Sequence, residues 1–310
     1  MTEASFAGRF ERLVSGDRPG SESAAILSDL SGADRAHVGS IWKSIPDETR
    51  RTIVTEAGLL ADENVSFDFE QLMLIALGDE DPTIRRLAAE SLEEATSRET
   101  ARSIGRILTG DDDPSVRAAA AGALGNAVVS WDGLRGFSKA HAEVLDLLRG
   151  ASTRDPSEEV RGRALVAAAG APRPWLGALL EDAYYGESRD LRLLAVRAMG
   201  MTCDEAWLEY LIEQLASFDS EFRVEAAAAC GELGAEDAIG PLAALAGDED
   251  AEVMIAAIAA IARIGGSLAL EVLTDLRTDP PPTTDIEILE AAIAEVKESE
   301  TAFGFVEDEE

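Results

Sequence analysis

The sequence predicts an all-α fold, a solenoid of stacked antiparallel helix pairs, and three observations carry that reading. One helix opening recurs: a capping residue, an apolar residue three positions on, an Arg beside it and an Ala three after the Arg. It is clearest in Asp113-Pro-Ser-Val-Arg-Ala-Ala-Ala-Ala-Gly-Ala-Leu-Gly125. The copies are also regularly spaced, since Arg85, Arg117, Arg161, Arg192 and Arg223 lie 32, 44, 31 and 31 residues apart. Such a period holds a helix, a turn and a second helix, and it marks a chain whose units bury their apolar faces only against their neighbours. Finally, one column contains nothing but alanine: Ala88, Ala120, Ala164, Ala195, Ala226, Ala257 and Ala292. A position that takes only a methyl is one where two helix backbones approach closely, because a packed interior penalises an additional methylene.

Taken in order, residues 4–14 and 22–30 read as short helices around a loop at 15–20 that carries Gly and Pro. A helix over 34–44 places Val38, Ile41 and Trp42 inward, and Pro46 opens another whose apolar side is Ile53, Val54 and Leu60. Residues 1–66 are read as a degenerate N-terminal helical cap, because a terminal repeat must turn a polar face to water. The regular array is expected over 67–299. Its second helices start at Asp81, Asp113, Ser157, Ser188, Asp219, Asp250 and Asp285, whose side-chain oxygens can accept from an orphan N–H of the first turn. Pro82 and Pro114 follow directly, where a missing N–H costs nothing. The inward column is Ile84, Val116, Val160, Leu191, Phe222, Val253 and Ile288, while Gly125, Gly200 and Gly231 stand where three of these helices are ending.

First helices are expected over 67–77, 100–108, 174–185, 204–215, 236–246 and 267–276, with Pro241 bending one of them. The long 44-residue spacing leaves an insertion at about 126–138, and its Trp131, Arg135 and Phe137 form the first local candidate for binding. The other reading of that segment is an elongated connection that folds its aromatics onto the adjacent repeat. The helix over 252–264 is apolar almost all round, which predicts a sandwiched position; an incomplete cover would leave Ile255 and Ile258 as a groove. Residues 300–310 are acidic and without helical period, so disorder is expected, with Phe303, Phe305 and Val306 as a docking peptide if the segment has a role.

Composition narrows the function. Sixty acidic against 27 basic residues give a formal charge of −33. Such a surface repels nucleic acid and anionic lipid, so neither is expected as a partner. Cys203 and Cys230 are too few for a disulfide framework, and the Ala-rich helices around them suggest reduced, buried thiols. The N-terminus has no apolar signal core, and the longest apolar run, 253–262, is too short to span a bilayer. A soluble, cytoplasmic protein without membrane insertion is expected.

The Asp-x-x-Val-Arg opening and the Ala-x-x-x-Leu-Gly after it resemble the HEAT repeats, specifically the short HEAT-like repeats of phycobilin lyase subunits. The segments from Asp113 to Gly125 and from Asp219 to Gly231 carry the likeness, the second with Phe222 and Cys230 in the Val and Leu places. The resemblance implies a right-handed α-solenoid with its second helices on the concave side. It also implies a ladder of hydrogen bonds between successive units through Asp81, Asp113, Asp219, Arg85, Arg117, Arg161, Arg192 and Arg223. Ser157 and Ser188 interrupt that set, with Asp155 and Asp190 as substitutes. An Arg beside an inward apolar residue sits at the core's edge, where its stem packs and its head reaches carbonyls or carboxylates.

Catalytic chemistry finds little support. Deoxyhypusine hydroxylase, a HEAT-like enzyme, binds two irons through His-Glu pairs, but here Val38 follows His37 and Ala142 follows His141. No Cys/His cluster, phosphate-cradling Gly loop or Gly-x-Ser-x-Gly elbow is present. No catalytic residue, cofactor or metal is therefore expected. The predicted function is a non-enzymatic scaffold or adaptor binding a protein of basic or mixed surface on a curved array, since surrounding acid steers cationic partners. A lyase-like or chromophore-handling subunit, and a permanent structural subunit of a larger complex, stay open as alternatives. Besides the insertion, Trp175, Tyr184, Trp207 and Tyr210 are candidate anchors, being residue types favoured in binding hot spots. Trp207 and Tyr210 share helical spacing with Leu211 and Gln214, which is also the pattern of a packing face.

Overall fold

A computed structural model describes residues 6–15, 24–94 and 97–304, and among them there is no strand. The chain divides into two units, residues 1–168 and 169–310. In the first lie α1 (Phe6–Ser15), α2 (Gly32–Ile41), α3 (Asp47–Glu63), α4 (Glu70–Ala76), α5 (Pro82–Glu90) and α6 (Arg98–Gly110). After them come α7 (Pro114–Ala123), α8 (Gly125–Trp131), α9 (Ser138–Arg154) and α10 (Glu158–Ala169). The second unit contains α11 (Pro174–Tyr184), α12 (Arg189–Met201), α13 (Leu208–Leu215) and α14 (Ser220–Leu233). It continues with α15 (Ile239–Ala244), α16 (Ala251–Ile264), α17 (Gly266–Thr278) and α18 (Ile286–Gly304). Within each unit first helices alternate with second ones, and the second helices form a row: α3, α5 and α7 in one unit, α12, α14, α16 and α18 in the other.

The capping residues act as their chemistry predicts. Asp81, Asp113, Asp219 and Asp250 each accept the backbone N–H two residues on, and Ser188 accepts that of Leu191. Ile84, Val116, Val160, Phe222 and Val253 are buried, worth about 1.5–3 kcal/mol each by area. In two copies the register loosens, with Leu191 and Ile288 half-buried and Leu289 taking the inward place on α18. Every residue of the alanine column is buried.

The glycines behind that column show the close approach it implies. A Cβ built on Gly200 would stand 2.5 Å from the Ala229 Cα, and one on Gly231 would stand 3.0 Å from the Ala260 Cα. In the first unit the same position is easier, since a Cβ on Gly125 meets Ala167 only at 3.7 Å.

Several expectations change in detail. Of the helix expected over 22–30, residues 22 and 23 lie outside the described residues and the described part holds a 3-10 turn, Ala25–Leu27, while the helix expected over 34–44 gives way to a 3-10 turn at Trp42–Ser44. Pro241 does not bend a long helix. It stands in the first turn of α15, where its nitrogen has no acceptor to lose, and the break lies before it at the 3-10 turn Glu236–Ala238. The insertion is helical, because α8 absorbs residues 125–131. On α16, packed between α14 and α18, Ile258 is fully buried and Ile255 is half-exposed, so the two do not form a groove. The last helix runs on to Gly304, into the segment expected to be disordered from residue 300, while Phe305 and Val306 lie outside the described residues.

Candidate partner-binding face

The arginine column is the place to begin, because its guanidinium groups would be the obvious receptors for an acidic partner if they were free. In the first unit they are committed. Arg50 grips Asp79 at 2.7 and 3.0 Å, Arg85 grips Asp111 at 2.7 and 2.8 Å, and Arg117 grips Asp155 at 2.8 and 2.9 Å. The second unit repeats the fork once, Arg223 on Asp248 at 3.0 and 2.9 Å. Each pair ties one second helix to the turn that opens the next, and a bidentate fork holds that geometry more tightly than a point charge would. The same arginines also donate to carbonyls of their own turns, as Arg85 does to Asp79 O, Arg117 to Asp111 O and Arg223 to Ser217 O. Arg161 donates to the carbonyls of Asp155 and Pro156 and to the Glu158 carboxylate.

This corrects the ladder assigned by resemblance. The acids that face the arginine column are Asp79, Asp111, Asp155 and Asp248, each two residues before a cap. Asp81, Asp113 and Asp219 instead turn their carboxylates onto the first turns of their own helices. Asp81 and Asp219 also pair with Arg51 and Arg189, which lie outside the column. The reason is steric and local: an N-cap oxygen is aimed at the N–H two residues on, whereas the earlier Asp closes a turn on that cap's own N–H and keeps its outer lone pairs for the arginine. Asp190 is in no such fork; it lies 3.5 Å from Arg189.

Burial and pairing compete at these acids. Burial pushes the Asp79 carboxyl up, but hydrogen bonds from Arg50, the Asp81 backbone and the Trp42 indole outweigh it and hold the group below its ordinary range. Asp111 follows the same balance, with burial opposed by Arg85 and the Asp113 backbone. At Asp155 the Arg117 hydrogen bonds are the larger effect and again the carboxyl is depressed. At Arg192 the turn offers Ser217 where the others offer Asp. Its Nε is buried without a hydrogen-bond partner, and its guanidinium lies 5.2 Å from the centroid of the Phe222 ring.

Outward positions of the second helices are largely neutralised as well. Arg86 pairs with Glu90 on α5, Arg197 pairs with Glu225, and Val224 is half-buried. In the first unit an open cleft of about 510 Å³ lies where α6 and α9 end, but Asp111, Arg117 and Asp155 on its wall are the rungs just described.

The insertion residues turn inward. Trp131 is 2% exposed and stacks on Phe137 at 5.1 Å, and Arg98 closes over the Phe137 ring at 4.4 Å while donating to the Gly136 carbonyl. Trp131 and Phe137 therefore pin the connection onto α6, and of the three residues singled out there only Arg135 is exposed.

In the second unit the structure does bring candidates together. Tyr184, Trp207 and Tyr210 gather with Tyr185 between the end of α11 and the start of α13. Ring centroids are 5.1 Å apart for Tyr184 and Tyr185, 5.2 Å for Tyr184 and Tyr210, 6.2 Å for Tyr185 and Tyr210, and 5.4 Å for Trp207 and Tyr210. All four contacts are edge-on. Trp207 and Tyr184 are the buried floor, Tyr210 is half-buried and Tyr185 is 71% exposed. Trp175 sits half-buried on the first turn of α11.

Carboxylates are built into this cluster. The Tyr184 hydroxyl donates to Glu213 at 3.1 Å and accepts from Gln214 at 2.6 Å, and the Tyr210 hydroxyl donates to Glu181 at 3.3 Å. Among the described residues neither glutamate is in an ion pair with Arg or Lys. Burial, with the adjacent Glu213 charge, outweighs the Gln214 hydrogen bond and pushes the Tyr184 hydroxyl up to about 12. The Tyr210 hydroxyl is raised first by its hydrogen bond with Tyr185, then by burial and Glu181. The result is an exposed aromatic surface carrying unneutralised negative charge. The sequence places Tyr185 among the aromatics of the array, but no spacing rule marks it as the outermost ring against its buried neighbour Tyr184.

His37 and His141 serve packing positions: His37 lies edge-on to Phe6 and Phe10, and His141 is buried with its Nδ1 3.7 Å from Asp132. Cys230 is buried as expected, which pushes its thiol up to about 12, whereas Cys203, expected to be buried, is exposed because it lies just past the end of α12. Among the described residues no helix is long and apolar enough to cross a membrane.

Comparison with known proteins agrees with this architecture. A family model described as HEAT repeats matches residues 44–125, 69–169 and 208–294. Among solved structures, the complex of CpcE and CpcF of phycocyanin lyase from Nostoc sp. PCC7120 is similar at 19% identity. That match covers 85% of this chain and 96% of that one with a TM-score of 0.54, a likeness of fold. Human deoxyhypusine hydroxylase matches at 21% identity over 86% of this chain and 96% of its own, with a TM-score of 0.36. An engineered protein matches at 17% identity over 95% and 92%, with a TM-score of 0.42. A search of curated proteins by sequence found no match.

Proposed function

This chain belongs to the HEAT-repeat family, and from that premise we propose that it is a non-enzymatic scaffold or adaptor that binds a protein of basic or mixed surface. The observation that carries the reading is the face of α11 and α13, where the exposed Tyr185 and the half-buried Tyr210 stand beside Glu181 and Glu213. Rigid aromatic rings are the side chains that anchor protein interfaces, and unneutralised carboxylates favour a cationic partner over a neutral one. The arginine column supports the same choice by exclusion, since its forks to Asp79, Asp111, Asp155 and Asp248 are already filled. The formal charge of −33 adds long-range steering for such a partner.

The test is affinity capture on the full chain from an extract of its host, at low and at high ionic strength. Screening shortens from about 10 Å at 0.1 M salt to about 3 Å at 1 M, so a partner held by this face is retained at the first and released at the second. A partner held equally at both, or a monodisperse monomer that captures nothing, contradicts the reading. Visible absorbance in the purified chain would turn the assignment toward chromophore handling instead.

A further inference from the structure

We propose that the Tyr185–Tyr210 pair with Glu181 is a receptor for one arginine side chain on an exposed segment of the partner. The inference rests on the scaffold reading and specifies what that scaffold recognises.

The planes of Tyr185 and Tyr210 are inclined at 61° with centroids 6.2 Å apart, so the two rings meet edge-on instead of covering each other face to face. Tyr185 is 71% exposed at the end of α11, and beneath it Tyr184 and Trp207 hold the floor in place. The face of a tyrosine ring is its negative pole, and a cation within about 6 Å of the centroid is attracted to it. Glu181 lies at the Tyr210 hydroxyl and Glu213 at that of Tyr184, placing two carboxylates on the margin of the same surface.

An apolar occupant would desolvate those carboxylates and leave them unpaired, which is costly. An anionic occupant would be repelled by them. A cation gains from rings and carboxylates together, and the two kinds of cation differ here. A guanidinium is planar, stacks on an aromatic face and presents paired N–H groups to a carboxylate, while an ammonium is a compact and strongly hydrated point charge. The nearest cation of this chain by sequence, Arg189, is already held by Asp219 and Glu221, so the receptor is not filled from within by that residue.

The probe is a fluorescein-labelled peptide bearing three arginines spaced by Gly-Ser, titrated by anisotropy onto the full chain at low salt. Its counterparts carry lysine or uncharged citrulline at the same three places. The expected order is arginine tighter than lysine, with the citrulline peptide losing binding. Tyr185→Ala weakens the arginine peptide about fivefold or more, Glu181→Gln weakens it by a similar factor, and Tyr185→Phe, which keeps the ring, retains most of it. Because Tyr185 is exposed, the melting temperature of Tyr185→Ala should match that of the wild type, which separates lost recognition from lost folding. Equal binding of the arginine and citrulline peptides overturns the proposal. So does Tyr185→Ala binding the arginine peptide as well as the wild type, since diffuse acidity alone would then account for the attraction. Retention of the native partner by Tyr185→Ala would overturn the receptor while leaving the scaffold in place; failure of the wild type to capture any partner would remove the scaffold instead.

Discussion

The two units stack the same helix opening by different means. In the first, α3, α5 and α7 are tied onward by three consecutive arginine forks, and the glycine position behind the alanine column is roomy, with Gly125 clear of Ala167. In the second, the forks thin out to Arg223 on Asp248, Arg192 faces Ser217, and the backbones of α12, α14 and α16 close directly on one another at Gly200 and Gly231. Polar rungs and backbone proximity are thus interchangeable ways to fix a repeat against its neighbour. Where the second is used, a rung can be lost without losing the stack. Under the proposed function the same division separates roles, since the rung-rich unit has its arginines and its insertion aromatics committed, and the close-packed unit carries the aromatic face with Tyr185 exposed.

The largest expected effect breaks a rung. Asp79 has a side chain only 1% exposed against Arg50 at 5%, so Asp79→Ala leaves a buried guanidinium with only the exposed Asp47 and the Ile45 carbonyl and should cost about 3–5 kcal/mol in urea unfolding of the full chain. Asp248→Ala, at the more open fork of the second unit, should cost clearly less; equal losses would dissolve the comparison. Acid makes the same point. Because Asp79, Asp111 and Asp155 titrate below their ordinary value of 3.8 in the fold, their contribution is complete above that pH and is lost as pH falls through the depressed values. Melting temperature followed downward from pH 5 should therefore hold until about pH 4 and then drop more steeply than in a variant lacking these acids.

Next comes backbone proximity. Gly200→Ala drives a methyl against the Ala229 backbone and should destabilise by about 1–3 kcal/mol, whereas Gly125→Ala has room and should be neutral or mildly stabilising. Identical effects at the two glycines would show that the units do not differ as described. Ser217→Asp should work in the opposite direction, supplying Arg192 with the carboxylate its neighbours have and raising stability by about 1.5 kcal/mol in thermal unfolding. The smallest effect sits at the end of α12, where Cys203 adopts φ +52° in the place that Gly234 holds after α14 at φ +70°. Cys203→Gly should relieve that strain and stabilise by about 1 kcal/mol, measured by the same melt.

Much of the fold was legible because its signals are local. Caps, the inward column and the alanine column each follow from one residue's geometry, and the buried alanines confirm that the methyl-only position marks close helix contact. The rung acids were less legible, although a sign was present. Asp79, Asp111, Asp155 and Asp248 form their own column two before the caps, but a cap and a rung are both carboxylates in one short turn and only geometry assigns the roles. Arg50 escaped notice because its helix keeps the spacing and changes the residues: Pro46 stands at the cap, Thr49 at the inward position and Ile53 in the alanine column. The candidate site was half legible. Aromatic identity pointed to Tyr184, Trp207 and Tyr210, yet spacing could not tell the outward Tyr185 from the buried Tyr184, nor foresee that Trp131 folds under Phe137 and Arg98.

The most direct test of the division between a committed and a receptive unit is hydrogen exchange on the full chain with and without its captured partner. The account predicts new protection over 181–185 and 207–214, with the turns at 79–81 and 111–113 unchanged. Protection confined to those turns, with α11 and α13 exchanging as in the free chain, would contradict it.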